Sequence, residues 1–185
     1  SVKTRGGLVD LDEKTAKRTK TTGCGQGTVF GDLMEDVEGI RLPQGAPLRR
    51  STLYDLLDRV RLQDTIYKQS GAIHGCGLAT NAPGGADILM FVEDVGRHIA
   101  VDAIAGRMWL DGVEGGDKIF YTTGRLTSEM VIKAAQMGIP CLVSRSGLTQ
   151  MGYDVARKVG MTMLGRASNK HYLLFTGVER FLPDE

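Results

Sequence analysis

Apolar and polar positions alternate along this chain in blocks that predict strands separated by helices. Short apolar runs predict strands at residues 71–78, 87–92, 118–122, 139–143, 161–165 and 171–176. Amphipathic runs predict a helix from Ser51 to about Lys68, a second over 95–109, a third ended by Gly138 and a fourth ending near Lys158. The first two are expected to bury an apolar stripe made of Leu53, Leu56, Leu57, Val60, Ile66, Val95, Ile99, Val101, Ile104, Ala105 and Met108. This alternation predicts an α/β fold of three layers, with a mainly parallel or mixed sheet covered by helices on both faces.

The run at 87–92 ends in a turn that carries four ionisable side chains. Glu93, Asp94, Arg97 and His98 follow it directly, ahead of a helix expected to begin near Asp94 as its N-cap. The carboxyl ends of strands in α/β sheets are where ligands bind. We therefore interpret this turn as part of a functional site, although capping alone would account for Asp94.

Composition and charge narrow the class of protein. The 185 residues suffice for one sizeable core, and the 25 glycines are scattered rather than gathered in a linker. A net charge of +1 gives no reason to expect binding to nucleic acid or to a membrane surface, and no apolar run could span a bilayer. Three widely spaced cysteines favour a reduced, cytoplasmic setting.

Residues 1–47 differ from the rest and are expected to form an N-terminal extension to an α/β core at 48–185. Because the chain begins with Ser1 rather than Met, the extension is expected to be truncated. It carries Cys24 in a glycine-rich loop after a basic run. Nearby cations lower a thiol pKa and favour the reactive thiolate. Cys24 is thus a candidate nucleophile, and an incidental thiol in a polar loop fits the local sequence equally well.

Polar turns at 93–98, 122–125, 144–147 and 165–171 are expected to meet at one edge of the sheet. The first three precede helices, whose N-terminal amides favour anions. The turns carry five cations, Arg97, Arg125, Arg145, Arg166 and Lys170. Because a guanidinium can bind two phosphate oxygens at once, the set favours a phosphate-bearing ligand over unrelated surface ion pairs. Neither a Walker loop nor a dinucleotide fingerprint is present.

Four segments form a specific ordered set: Gly-Ala-Ile-His at 71–74, Val-Glu-Asp-Val-Gly-Arg-His at 92–98, Thr-Gly-Arg-Leu-Thr-Ser-Glu-Met-Val at 123–131 and Gly-Ile-Pro at 138–140. Together they resemble the FdhD/NarQ family of formate dehydrogenase accessory proteins, from about Thr21 onward. The resemblance implies a fold similar to that of cytidine deaminases and a homodimer. It also implies a sulfurtransferase that passes persulfide sulfur from a cysteine desulfurase to the molybdenum cofactor, before that cofactor enters apo formate dehydrogenase.

The resemblance assigns the sulfur-carrying residue. The family's persulfide cysteine lies in a Cys-Gly-x-Cys loop, which residues 24–27 match except that Gly27 replaces the second cysteine. Cys24 therefore takes the nucleophile role, and any step that needs a second thiol in this loop lacks it.

The resemblance also implies a site for the cofactor, bis(molybdopterin guanine dinucleotide), for which GDP is a mimic, and it implies no structural metal. The family's cofactor segment matches Arg166, Ala167, Ser168, Asn169, Lys170 and His171, although an aromatic residue usually stands in the first position and further arginines are usual. Arg125 is expected at the phosphates. Asp94 or Glu93 is expected to accept from guanine N–H groups unless they serve as caps or ion pairs. His98 is expected to move a proton or donate a hydrogen bond.

Two other classes of function remain open. The glycine at position 27 motivates a non-catalytic chaperone that binds the molybdenum cofactor without carrying sulfur. A zinc hydrolase would use His74, Cys76 and Cys141, but their spacing departs from the deaminase pattern, and His74 among small residues is more readily structural.

Overall fold

The computed structural model describes residues 37, 39–43, 47–63 and 66–183. The chain divides into two units, Ser1–Gly39 and Ile40–Glu185, and the fold below is that of the second. The Cys24 loop lies outside the described residues. The expected boundary between residues 47 and 48 stays a prediction.

Strands and helices alternate through most of the described chain. Their order is β1 (Leu48–Arg49), α1 (Arg50–Leu62), α2 (Ile66–Ser70), β2 (His74–Thr80), β3 (Ile88–Asp94), α3 (Arg97–Asp111), β4 (Lys118–Thr122), α4 (Ser128–Gln136), β5 (Cys141–Ser144), α5 (Gln150–Val159), β6 (Thr162–Ser168), β7 (His171–Thr176), a 3-10 turn (Val178–Arg180) and β8 (Phe181–Leu182). No helix among these residues is long and apolar enough to cross a bilayer. All six strands that the sequence predicts are present.

The main sheet is mixed. Its strand order is β3-β2-β4-β5-β6-β7, while β1 and β8 form a separate parallel pair. The pairs β4–β5 and β5–β6 are parallel, whereas β2–β3, β2–β4 and β6–β7 are antiparallel. A mainly parallel sheet is therefore wrong, and a mixed one is confirmed. The cause lies in the short, helix-free connections β2–β3 and β6–β7, since parallel neighbours need a long crossover.

Helices cover both faces of this sheet. On one face, α1 packs its leucines into a core with Ile119, Tyr121, Cys141, Val143 and Leu164. Because side chains alternate along a strand, the fully buried Phe120 and Leu142 point to the other face. There α3 packs against β2 and β3, and α4 packs against α5. The three layers expected from the sequence are present.

The central strand β2 uses glycine so that an aromatic ring can lie across it. Gly77 pairs with Phe91 of β3. A Cβ at Gly75 would stand 2.8 Å from the Phe91 ring, and one at Gly77 would stand 3.2 Å from it. The Phe91 ring thus fills the α1 face of β2, where side chains from Gly75 and Gly77 would otherwise be.

Two helices differ from expectation. The helix predicted from Ser51 to Lys68 ends at Leu62, and the separate short helix α2 follows, with Ile66 exposed. Helix α3 begins at Arg97 rather than near Asp94, so Val95 precedes it and is 76% exposed. Ile99 is 61% exposed because the buried face of α3 is instead formed by Ala100, Val101, Ile104 and Met108. Gly138, with φ +73°, does end α4 as predicted.

We expect opposite effects on stability from two glycine-to-alanine changes. A Cβ at Gly152 of α5 would stand 2.5 Å from the Leu126 carbonyl oxygen, so Gly152→Ala should lower the free energy of unfolding by about 1–3 kcal/mol. Gly106 lies exposed inside α3 with nothing near its Cβ position, so Gly106→Ala should raise it by about 0.5–1 kcal/mol. Urea unfolding of both variants measures the difference, and equal effects would contradict the packing described.

Candidate functional site

The polar turns meet at one edge of the main sheet. Strands β3, β4, β5 and β6 all end there, while β2 and β7 begin there, as the pairs His74 with Asp94 and Ser168 with His171 show. Thr122 pairs with both Cys76 and Ser144 at the same level. All four turns that the sequence groups together therefore lie at this edge.

Hydrogen bonds from two serine hydroxyl groups connect the turn after β4 to the turn after β5. The Ser144 hydroxyl donates to the Gly124 carbonyl at 2.6 Å, and the Ser146 hydroxyl donates to the Thr123 carbonyl at 2.8 Å. The Thr123 hydroxyl accepts from the Gly75 amide at 3.0 Å, which ties in β2. Arg125 and Arg145 thus extend from turns whose backbones are fixed to each other.

A cavity of about 210 Å³ opens on the α1 side of this edge. Its residues divide into an apolar part, a polar part and two tyrosines: Leu57, Val60, Phe91 and Ala167; Arg61, Lys68, Thr123, Arg145, Ser168 and Asn169; Tyr67 and Tyr121. The Arg145 guanidinium lies over the Tyr67 ring, 5.6 Å from its centroid. Burial raises the pKa of Tyr121 to about 12, so this phenol stays protonated at neutral pH. The walls of this cavity therefore combine aromatic faces with hydrogen-bonding groups.

Glu93 positions Tyr67. Its two carboxylate oxygens accept from the backbone amides of Ile66 and Tyr67 at 2.9 and 2.8 Å, at the start of α2. Glu93 thus caps a helix, one of the roles left open for it, but the helix is α2 rather than the one that follows it in sequence. Each of its oxygens thus already accepts one backbone hydrogen bond.

Asp94 faces the opposite side of the sheet from Glu93, and its role as N-cap of α3 is wrong. Its Oδ1 accepts from the Gly96 amide at 2.7 Å, inside the turn, and Gly96 is the residue that precedes α3. The helix starts two residues later than predicted because this local hydrogen bond holds the chain in a turn through Gly96.

The segment 166–171 spans the β6–β7 hairpin and contributes unevenly to the cavity. Ala167, Ser168 and Asn169 line it. Arg166 is exposed with φ +51°, and its amide donates to the Ser146 carbonyl at 2.8 Å. Lys170 and His171 are exposed and do not line the cavity. The hairpin therefore closes one wall of the cavity with the middle of this segment only.

His98 lies on the α3 side of the edge, away from the cavity. Its Nε2 is 3.4 Å from Glu129 Oε2 in the first turn of α4. Glu129 also contacts Lys133, which binds Asp102 at 2.8 Å. Burial lowers the pKa of His98, and the nearby carboxylates oppose that shift only in part. Arg125, also outside the cavity lining, is exposed in the turn before α4.

Both cysteines among the described residues are buried free thiols. Cys76 faces the α3 side and donates to the Thr122 hydroxyl at 3.3 Å, whereas Cys141 belongs to the core under α1. Burial raises the pKa of each thiol to about 11. Since these two lie on opposite faces of the sheet, they cannot join His74 in a zinc site. The described part of the chain holds no group of three or more His, Cys, Asp or Glu suited to a metal.

Five of the residues that line the cavity were not predicted from the sequence: Tyr67, Tyr121, Phe91, Arg61 and Lys68. Tyr67 was missed because its segment was expected to continue α1. The alternation of β4 does place Tyr121 on the same face as Ile119, which is the one signal the sequence offers.

These features define an α/β protein with a mixed sheet that carries a cavity and four polar turns at one edge. The sequence profile of the FdhD/NarQ family matches residues 1–182, and this chain belongs to that family.

Relatives of similar sequence are named sulfur carrier protein FdhD. The one from Listeria innocua is 28% identical over 166 residues, covering 89% of this chain and 62% of the relative. The one from Wolinella succinogenes is 30% identical, covering 86% of this chain and 54% of the relative. The chain thus spans between about half and three fifths of the length of these relatives.

A solved structure shares the fold. It is a crystal structure from Desulfotalea psychrophila, described as a formate dehydrogenase accessory protein, with 32% identity and a TM-score of 0.69. The match covers 80% of this chain and 62% of that one. The likeness to cytidine deaminases stays a prediction.

We expect Cys76 and Cys141 to resist alkylation in the native protein. Their raised pKa values lower the thiolate fraction at pH 8 about 100-fold against an ordinary thiol, and burial blocks access as well. Iodoacetamide at pH 8, followed by peptide mass spectrometry, should modify both residues in urea and neither in its absence. Rapid native labelling of either one would contradict this description of the core.

Proposed function

We propose that this chain is a sulfur carrier that takes persulfide sulfur from a cysteine desulfurase and passes it to the molybdenum cofactor of formate dehydrogenase. The observation that carries the proposal is the family match over residues 1–182, whose relatives bear the name sulfur carrier protein. The edge described above supports it with a ring-sized cavity flanked by arginines.

Cys24 is the proposed nucleophile. Its thiolate attacks the terminal sulfur of the desulfurase persulfide, a new S–S bond forms on Cys24, and the desulfurase cysteine leaves as a thiolate. Delivery of that sulfur as sulfide takes up two electrons, which a pair of thiols can supply by forming a disulfide. Because Gly27 replaces the second loop cysteine, at least one of those thiols must come from outside this loop.

The cavity beside Tyr67 is the proposed binding site for the guanine base of the cofactor. Its volume of about 210 Å³ is below the 300–1,000 Å³ typical of pockets for whole drug-sized ligands, so it suits one ring system. The Arg145 guanidinium and the tyrosine rings offer stacking faces, and Ser168 and Asn169 offer polar groups for the base edge. Arg166 and Lys170 lie on the same hairpin and are proposed phosphate contacts. His171, Asp94, His98 and Arg125 are proposed contacts for the rest of the cofactor.

The proposed partners follow from the same assignment. They are a cysteine desulfurase, apo formate dehydrogenase and a second copy of this chain, in the cytoplasm. The accessory-protein description of the structural relative supports the dehydrogenase.

A non-catalytic cofactor chaperone is the alternative, motivated by Gly27. It would use the same cavity, but its action on formate dehydrogenase would not need a thiol at position 24.

Incubation with a cysteine desulfurase and cysteine should add one sulfur atom to the protein, removable by reductant. Intact-mass analysis should show this gain in the parent and in Cys76→Ala, whose thiol is buried, and no gain in Cys24→Ala. A gain that persists in Cys24→Ala would reject Cys24 as the carrier. No gain in a protein that still binds GDP would favour the chaperone.

GDP binding should depend on Arg145. Arg145→Met should weaken GDP binding about tenfold or more, because it removes a charge and a stacking face worth about 1–2 kcal/mol. Arg157→Met is the matched control, since Arg157 also covers a tyrosine, Tyr153, at 5.8 Å, but lies in the last turn of α5. Isothermal titration measures both affinities. Equal affinities for the two variants would exclude the cavity as the base site.

A further inference from the structure

Buried polar atoms that lack a hydrogen-bond partner gather at one place in the described part of the chain. They are His74 Nδ1, Arg97 Nε, His98 Nδ1 and Thr127 Oγ1. Native proteins satisfy the large majority of such atoms. Four such atoms on adjoining elements at one edge of the sheet leave hydrogen-bonding capacity that a polar ligand could take up.

All four lie where α3 and α4 begin, on the face of the sheet opposite the Tyr67 cavity. His74 is on the same face of β2 as Cys76, whose thiol is 3.9 Å from the Arg97 carbonyl. A Cβ at Gly124 would stand 2.9 Å from Arg97 Cδ, so this glycine lets the Arg97 side chain lie along the turn that carries Arg125. Thr127 is the residue that precedes α4.

The two helix N-termini at this edge lack side-chain caps. Gly96 and Thr127, the N-cap residues of α3 and α4, make no side-chain capping hydrogen bond. Thr149 in the same position of α5 does, accepting from the Gly152 amide at 3.1 Å. First-turn amides without a cap attract anions, and two such helix ends with two arginines add in the same direction.

Positive charge prevails around His74. Burial lowers the pKa of His74, and the charges of Arg97 and Arg125 lower it further. Glu129 is engaged by His98 and Lys133, and Asp94, opposite His74 on β3, accepts from the Gly96 amide. An anion bound here would face two guanidiniums and an imidazole.

We propose that His74, Arg97 and Arg125 form a binding site for a tetrahedral oxyanion of the phosphate class, between the N-terminal ends of α3 and α4. This site rests on the proposed function only in that Arg125 is a proposed cofactor contact there. It requires neither Cys24 nor the Tyr67 cavity. Its occupant is either a free oxyanion or a phosphoryl group of the nucleotide. His98 and Thr127 supply further polar atoms to it.

The histidines provide a direct readout, because the chain has three, His74, His98 and His171. Inorganic phosphate, titrated into the protein in a phosphate-free buffer, should shift the ring NMR signals of His74 saturably. His98 should shift less. His171, exposed on β7, should not shift and is the internal control. Single His→Gln variants assign the signals. Bound phosphate should also raise the pKa of His74, because an anion offsets the repulsion from Arg97 and Arg125.

Substitutions on and off the site decide whether the shift reports binding there. Arg125→Gln, at an exposed position, and Arg97→Gln should each weaken the phosphate-dependent shift of His74 at least about tenfold. Arg107→Gln, exposed near the other end of α3, should leave it unchanged. Should Arg97→Gln fail to fold, Arg125→Gln still carries the test.

A parallel titration with GDP identifies the occupant. A shift of His74 with both ligands, or with phosphate alone, assigns a free oxyanion site, and a shift with GDP alone assigns a nucleotide phosphoryl group. The proposal is overturned if neither ligand shifts His74, if His171 shifts equally, or if Arg125→Gln changes nothing. GDP binding that depends on Arg145 but leaves His74 unmoved would retain the proposed function and reject this site.

Discussion

Hydrogen bonds between the turns after β4 and β5 hold the edge of the sheet that carries the site in one arrangement. Thr122 and Ser144 are fully buried, and the Ser144 hydroxyl reaches across to the Gly124 carbonyl. Each such bond contributes about 1 kcal/mol, but leaving its buried partner unpaired would cost more. Because Thr123 is also bonded to Gly75, three adjacent strands are held in one register at the edge. Arginines on flexible turns would lose entropy on binding, and these turns are already ordered.

The sheet divides its own carboxyl edge into two chemically different sides. Glu93 and Asp94 are neighbours in sequence, yet strand alternation sends Glu93 to the α1 side, where it caps α2, and Asp94 to the α3 side. The α1 side offers rings and an apolar wall, whereas the α3 side offers guanidiniums, imidazoles and helix ends. The two sides of the edge therefore present different chemical groups, although they are built from the same strand ends.

A cysteine that carries sulfur as a persulfide must ionise near neutral pH, because the thiolate is the nucleophile. The core thiols Cys76 and Cys141 fail that requirement, because burial disfavours the thiolate. Cys24, with basic residues before it in the sequence, is the remaining cysteine of the chain. Two of the three cysteines are thus buried and protonated, which leaves Cys24 as the candidate thiolate of a carrier that binds sulfur at one position.

Local sequence patterns were sufficient to predict the strands, the alternation that makes an α/β fold, and the gathering of polar turns at one edge. These follow from local periodicity and from the rule that successive strand ends meet. Family membership could also be recognised from the sequence, since the four ordered motifs are defined by residue type and order alone. Three contacts could be seen only in the folded chain: Tyr67 faces Arg145, Glu93 caps a helix far from it in sequence, and Gly124 makes room for Arg97. Those contacts join residues far apart in sequence, and packing that forms only when the sheet is assembled carries no local signal. The mixed sheet lies between the two cases. The short β2–β3 and β6–β7 connections can be read from the sequence, and they make those strand pairs antiparallel. The prediction of a mainly parallel sheet gave more weight to the helical crossovers elsewhere.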